Sequence, residues 1–141
     1  MSRPPTVVGS VTLGVRGVSP VGGGSSARWA WRRAIAQQAR RIRSEHRLGA
    51  VSPDAAFELK IDFLLLPIRA RDADVDNLAR PVLNTLFNSR DEQADRTLTA
   101  TLFDAEDAQI HRLILEKRVV ADPAEEGIDV IVRWEARETA G

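Results

Sequence analysis

Apolar positions along this chain change their period several times, and each change predicts a change of element. Val7, Val11, Leu13 and Val15 alternate with Ser10, Thr12 and Arg16, as in a strand with one buried face. Residues 18–26 (Val-Ser-Pro-Val-Gly-Gly-Gly-Ser-Ser) read as a flexible loop that ends on a serine cap. Trp31, Ile35, Ala39 and Ile42 then recur at helical spacing, which predicts a helix from about Ala27 to His46, stopping near Leu48 and Gly49. A second strand follows from Phe57, Leu59, Ile61, Phe63 and Leu65, which alternate with Glu58, Lys60 and Asp62. Leu78, Val82 and Leu86 predict a second helix to about Asn88, and Pro81 inside it removes a backbone donor, so a kink or late start is expected. Leu98 to Phe103 reads as a short strand, Gln109 to Val120 as a third main strand with His111, Leu113 and Leu115 on one face, and Ile128 to Trp134 as the last. This order predicts an α+β fold, a mixed sheet with two helices packed on one face. A single domain over 1–141 is expected, with disordered ends at 1–6 and 137–141 and an insertion at 88–103.

Composition narrows the function classes. At 141 residues, with 43% hydrophobic and 28% charged, the chain suits one soluble core. The longest apolar run, Phe63 to Ile68, is far too short for a bilayer, and the N-terminus lacks a secretory pattern. The lack of cysteine excludes disulfide and thiolate chemistry, disfavours zinc and fits a cytoplasmic location. Zero formal net charge argues against a strongly basic nucleic-acid binder, but the charge is uneven. Between Arg28 and Arg47 there are seven arginines and one glutamate, whereas acids dominate after Ala121. Arg28, Arg32, Arg40 and Arg43 therefore offer a basic face for an anionic polymer, with Trp29 among them. An aromatic in such a face can stack on bases, or can be a half-buried side chain among solvated charges.

The candidate chemistry lies at 71–80. Asp72, Asp74 and Asp76 alternate and run into Asn77, where a strand ends and a helix begins. Carboxylates so crowded repel unless a cation joins them, and Mg²⁺ takes oxygen ligands. Without any metal, Asp74 would also serve as an N-cap and Asp76 would suit the helix dipole. Glu106 and Asp107 form a second acidic pair at the head of the third main strand. A fold that joined the two clusters would make a pocket in which Mg²⁺ could act on a phosphodiester. Arg80, one turn beyond Asp76, could stabilise the developing charge.

Asp74-Val-Asp-Asn-Leu-Ala-Arg-Pro-Val-Leu-Asn-Thr-Leu86, followed by Glu106-Asp-Ala-Gln-Ile110 and Lys117, resembles the RusA-type Holliday junction resolvases. Their signature is Asp-x-Asp-Asn-Leu-x-Lys, an apolar helix, then Asp-Asp-x-Gln-Val at the start of a strand, and the likeness spans roughly residues 55 to 134. The resemblance implies a RusA-like fold and an Mg²⁺-dependent endodeoxyribonuclease that nicks four-way DNA junctions as a homodimer, in recombination and repair. It implies Asp74, Asp76 and Asp107 as metal ligands and Arg80 in the place of a catalytic lysine; the uneven charge of the first helix marks Arg28, Arg32, Arg40 and Arg43, together with Lys117, as the expected DNA contacts. The alternative it carries is a junction-binding protein of the same fold with impaired catalysis. Four departures bear on that choice. Arg80 keeps the charge of lysine but cannot release a proton, and Asn84 stands where relatives have Asp. The stretch from Leu86 to Asp107 exceeds ordinary connections by about a dozen residues. Gly22-Gly-Gly-Ser-Ser26 replaces a Pro-rich loop.

Overall fold

Residues 6–19, 25–88 and 96–137 are described by the computed structural model. Strands β1 (Thr6–Arg16), β2 (Ala56–Leu65), β3 (Ile110–Val119) and β4 (Gly127–Arg137) form one mixed sheet in the order β1-β4-β2-β3. β4 runs antiparallel to both neighbours, whereas β2 and β3 are parallel. Helices α1 (Ser25–Glu45), α2 (Pro67–Ala70) and α3 (Val75–Leu86) complete the α+β architecture.

The strand periodicity decides which face is covered. Val11, Leu13 and Val15 of β1, Phe57 through Leu65 at alternate positions of β2, and Ile128, Val130 and Val132 of β4 all point into one core. Trp31, Ile35, Ala39 and Ile42 of α1 and Ala79, Val82 and Leu86 of α3 close it from above. At the β2 N-terminal end, Phe57 lies 5.0 Å from Phe87 and 4.9 Å from Phe103, an aromatic cluster that each buried ring stabilises by about 2–3 kcal/mol. Trp134 joins it because Gly9 opposite has no side chain; a Cβ there would sit 2.1 Å from the indole.

Three expectations need correction. Residues 98–103 are not a strand. Arg96–Leu98 is a 3₁₀ turn, and Leu98, Leu102 and Phe103 are buried anchors at irregular spacing. The amides of Ala100, Thr101 and Phe103 donate instead to the carbonyls of Phe87, Thr85 and Leu86, closing the open C-terminus of α3. Second, α3 does not start late: it begins at Val75 and continues through Pro81. Third, a register shift between Phe57 and Glu58 leaves His111 without a partner on β2, so Ile110 rather than His111 faces the core. The stop of α1 is where the sequence puts it, but its left-handed residue is Arg47 (φ 53°), with the Leu48 amide returning to the Arg43 carbonyl. Residues 1–5, 20–24, 89–95 and 138–141, which include much of the expected insertion and tails, lie outside the described residues.

Candidate active site

The acidic segment is held from both sides of the sheet. Beyond β2, the Leu66 amide donates to Glu126 Oε2 (3.2 Å), and Arg69 Nε lies 3.2 and 3.1 Å from the two oxygens of the same carboxylate. Glu126 is buried just before β4, so α2 is anchored to the strand that crosses the middle of the sheet. From β3, Lys117 sends Nζ to the carbonyls of Ala70 and Ala73, each at 2.9 Å. Asp74 then caps α3 by accepting from the Asp76 amide at 3.1 Å, so its cap role is realised. Asp72, Asp74, Asp76, Asn77 and Arg80 are all exposed. None of the three aspartates makes an ion pair among the described residues. Two unpaired carboxylates on a braced turn, at the C-terminal ends of two parallel strands, suit a hard cation or a cationic ligand.

Asp107 is elsewhere. It opens a 3₁₀ turn (Asp107–Gln109) whose Glu106 and Gln109 bond each other reciprocally, and its amide donates to the Asn88 carbonyl at 3.1 Å. Asn88 follows the C-terminus of α3, and Asp74 caps its N-terminus. The 12 residues of α3 span about 18 Å, so Asp107 and the Asp74–Asp76 pair stand at opposite ends of the helix. The expected convergence of all three within one chain is therefore corrected. The reason is topological: α3 connects the end of β2 to the start of the parallel strand β3 and must cross the sheet's full height. Among the described residues, no three Asp, Glu, His or Cys side chains are grouped to hold a metal.

The expected DNA-facing arginines are also redistributed. Arg43 makes a two-pronged pair with Asp104 (2.9 Å to each oxygen) and donates to the Ala100 carbonyl. Arg40 donates to the Thr97 carbonyl, and Arg32 Nε reaches Thr85 Oγ1 at 3.3 Å. These side chains tie residues 97–104 and α3 to α1, with Arg40 still exposed and Arg32 and Arg43 half-buried. Lys117 likewise braces the acidic turn. Arg28 lies in the first turn of α1, with its side chain outside the described part. Trp29 is 40% exposed, and Arg33, Arg40, Arg41 and Arg47 are exposed arginines of this segment, Arg41 being paired with Glu45 at 3.6 Å.

Sequence reasoning missed Glu126 and Arg69 as supports of the site. The available signal was Asp122-Pro-Ala-Glu-Glu-Gly127, where a turn ends on a glycine: Gly127 has φ 157°, and a Cβ there would lie 1.7 Å from the Val15 carbonyl oxygen. That close approach pins Glu126 under α2. On the uncovered sheet face, Asp62 is nearly buried between Arg118 (3.5 Å) and Lys60 (3.9 Å), and Arg16 pairs with Asp129 at 2.6 Å, a ladder of compensated charge. No protein-family model matches this chain, and no curated protein matches it.

Proposed function

We propose that this protein is an Mg²⁺-dependent endodeoxyribonuclease that nicks branched DNA, four-way junctions in particular, and works in the cytoplasm as a homodimer. One observation carries the reading: Asp74 and Asp76 are exposed, make no ion pair among the described residues and sit on a turn that Lys117 braces. The donor set fits a hard ion in part, since two carboxylates from one copy leave room for a third oxygen ligand. Asp107 cannot supply it from the same chain, because the length of α3 intervenes. A second copy, related by a two-fold axis, can bring its Asp107 to the first copy's turn, and a two-fold junction offers two equivalent strands to such a dimer.

Mg²⁺ supplies Lewis acidity toward the phosphodiester and an acidified water when bound there. The chain's own groups do the rest. Asp74 and Asp76 would hold the ion through their carboxylates, Asp74 being oriented by the Asp76 amide. Arg80, exposed one turn further along α3, offers fixed N–H donors to the non-bridging phosphate oxygens as charge develops. It cannot act as a proton shuttle at neutral pH.

The second reading is a junction-binding protein that no longer cuts, favoured by Arg80 and by the separation of Asp107 from the turn. Incubation of a synthetic four-way junction with and without Mg²⁺ separates the two. The nuclease gives Mg²⁺-dependent symmetric nicks that Asp76→Asn abolishes; the binder gives a retarded complex and no nicks. Mixing Asp76→Asn with Asp107→Asn protein tests the shared site, since a mixed dimer rebuilds one complete site and regains part of the nicking. No recovery from the mixture would refute sharing between copies.

A further inference from the structure

β3 is the edge of the sheet, and among the described residues no strand lies beyond it. A bare ten-residue edge invites pairing with another chain, and proteins usually blunt such an edge with charge, proline or brevity. This one carries charge, but of both signs, which does not repel a second copy. It has no proline, its only lysine is turned inward onto the Ala70 and Ala73 carbonyls, and its bulge sits at one end, by His111. Apolar surface gathers beside it: Val119 is 64% exposed, Leu113 38%, and Ile68 on the adjoining α2 75%.

The strand is also complementary to itself. Its two faces are set by pairing with β2: Leu113, Leu115 and Lys117 stand opposite inward residues, Arg112, Ile114 and Glu116 opposite outward ones. When two copies run antiparallel about an axis through Ile114, Arg112 of each faces Glu116 of the other on the open face. On the helix side, Leu113 faces Leu115 of the other copy twice. Shifting the axis to Leu113 or Leu115 sets Arg112 against Ile114 or against Arg118, and shifting it to Glu116 sets Glu116 against itself. The register at Ile114 therefore joins charge complementarity to apolar pairing, the terms that stabilise antiparallel strands.

We propose that β3 pairs antiparallel with β3 of a second copy in the Ile114-centred register, forming one continuous sheet across the dimer. In that register the N-terminal end of β3, which Asp107 precedes, comes to the C-terminal end of the other copy's β3, where Lys117 holds the Asp74–Asp76 turn. The opposite edge, β1, offers no such match: Arg16 is its single charged residue and is bonded to Asp129 at 2.6 Å, so no acid on β1 can face it in a second copy, whereas Glu116 of β3 has only a longer 3.9 Å contact with Lys60. The interface rests on the nuclease reading only for the use made of Asp107; the pairing itself does not.

Sedimentation of the full chain over a concentration series, without DNA or Mg²⁺, tests the pairing. The wild type is expected to dimerise. Arg112→Glu and Glu116→Arg each place like charges together twice, raising the dimer dissociation constant about tenfold, and the double exchange restores it. A monomeric wild type, single variants that dimerise normally, or a double variant as weak as the singles would overturn the proposal. Circular dichroism establishes that each variant is folded. Hydrogen exchange on the wild type gives a check that needs no variant: amides of 111–117 slow as concentration rises, and exchange independent of concentration would also overturn it. An intact dimer that never nicks removes the nuclease reading alone; a monomer that nicks removes the interface alone.

Discussion

Lys117→Met should loosen the acidic turn while leaving the sheet intact. Lys117 ties the segment between α2 and α3 to β3, through two 2.9 Å bonds to the Ala70 and Ala73 carbonyls. Hydrogen bonds from a charged donor are worth about 1.5–3 kcal/mol each when shielded, but this amine is exposed, so water replaces most of that. The net loss is then about 1 kcal/mol for the pair, a fall in melting temperature of about 2–4 °C for a domain of this size. The local effect should be larger than the global one. Amides of residues 71–76 should exchange faster in Lys117→Met, while those of β2 and β4 keep wild-type protection. Under the proposed function, junction nicking falls with it, since the Asp74 and Asp76 carboxylates lose their fixed orientation. Methionine keeps the length and apolar stem of the lysine, so packing loss does not confuse the result. Unchanged melting together with unchanged exchange across 71–76 would refute a bracing role.

Three further outcomes follow from the same geometry. Arg43→Ala should cost about 1–2 kcal/mol in urea unfolding, with a coupling to Asp104→Ala of about 0.5–1 kcal/mol in a double-mutant cycle, and should leave the salt dependence of DNA binding unchanged; a shallower salt slope would return Arg43 to the DNA-facing set. Gly127→Ala should cost about 4 kcal/mol or more and is read as loss of folded protein on expression or a collapsed urea midpoint, because its Cβ would meet the Val15 carbonyl oxygen at 1.7 Å. Arg47→Gly should gain about 0.5–1 kcal/mol by relieving a left-handed residue at the end of α1, and a lower urea midpoint would contradict that cap geometry.

The parts of the fold that were legible are those decided by local periodicity. The alternation from Phe57 to Leu65 and the helical stripe Trp31, Ile35, Ala39 and Ile42 each identify an element and its buried face, and both faces meet in the core. Asp74 as an N-cap was readable for the same reason, since a cap depends on its own neighbours. What was not legible depends on partners distant in sequence. The arginines of α1 form one helical face, but helix geometry cannot say that residues 97–104 fold back across it and take Arg40 and Arg43. Residues 98–103 look like a strand because they are apolar, yet their amides are taken by the end of α3 before any sheet can claim them. His111 was placed on the wrong face because a bulge shifts the register by one residue, and nothing in the strand's own sequence announces it.

The separation of the two acidic motifs has the same origin and a larger consequence. A strand–helix–parallel strand unit puts whatever precedes its helix at one end of the sheet and whatever precedes its second strand at the other. Asp74 and Asp76 precede α3, and Asp107 precedes β3, so folding alone drives them apart however close their spacing makes them look. Within one copy the Asp74 carboxylate accepts from the Asp76 amide on a turn whose backbone Lys117 holds, while the Asp107 amide donates to the Asn88 carbonyl at the other end of α3. A two-fold axis perpendicular to the sheet at the β3 edge reverses this, because it exchanges the two ends of β3. The carboxylate that the topology sends away from one turn is then the one it delivers to the other copy's turn. If the mixed Asp76→Asn and Asp107→Asn proteins regain nicking while Arg112→Glu, added to both, abolishes the recovery, then site and interface are one device. Recovery that survives the charge reversal would mean the copies meet through another surface.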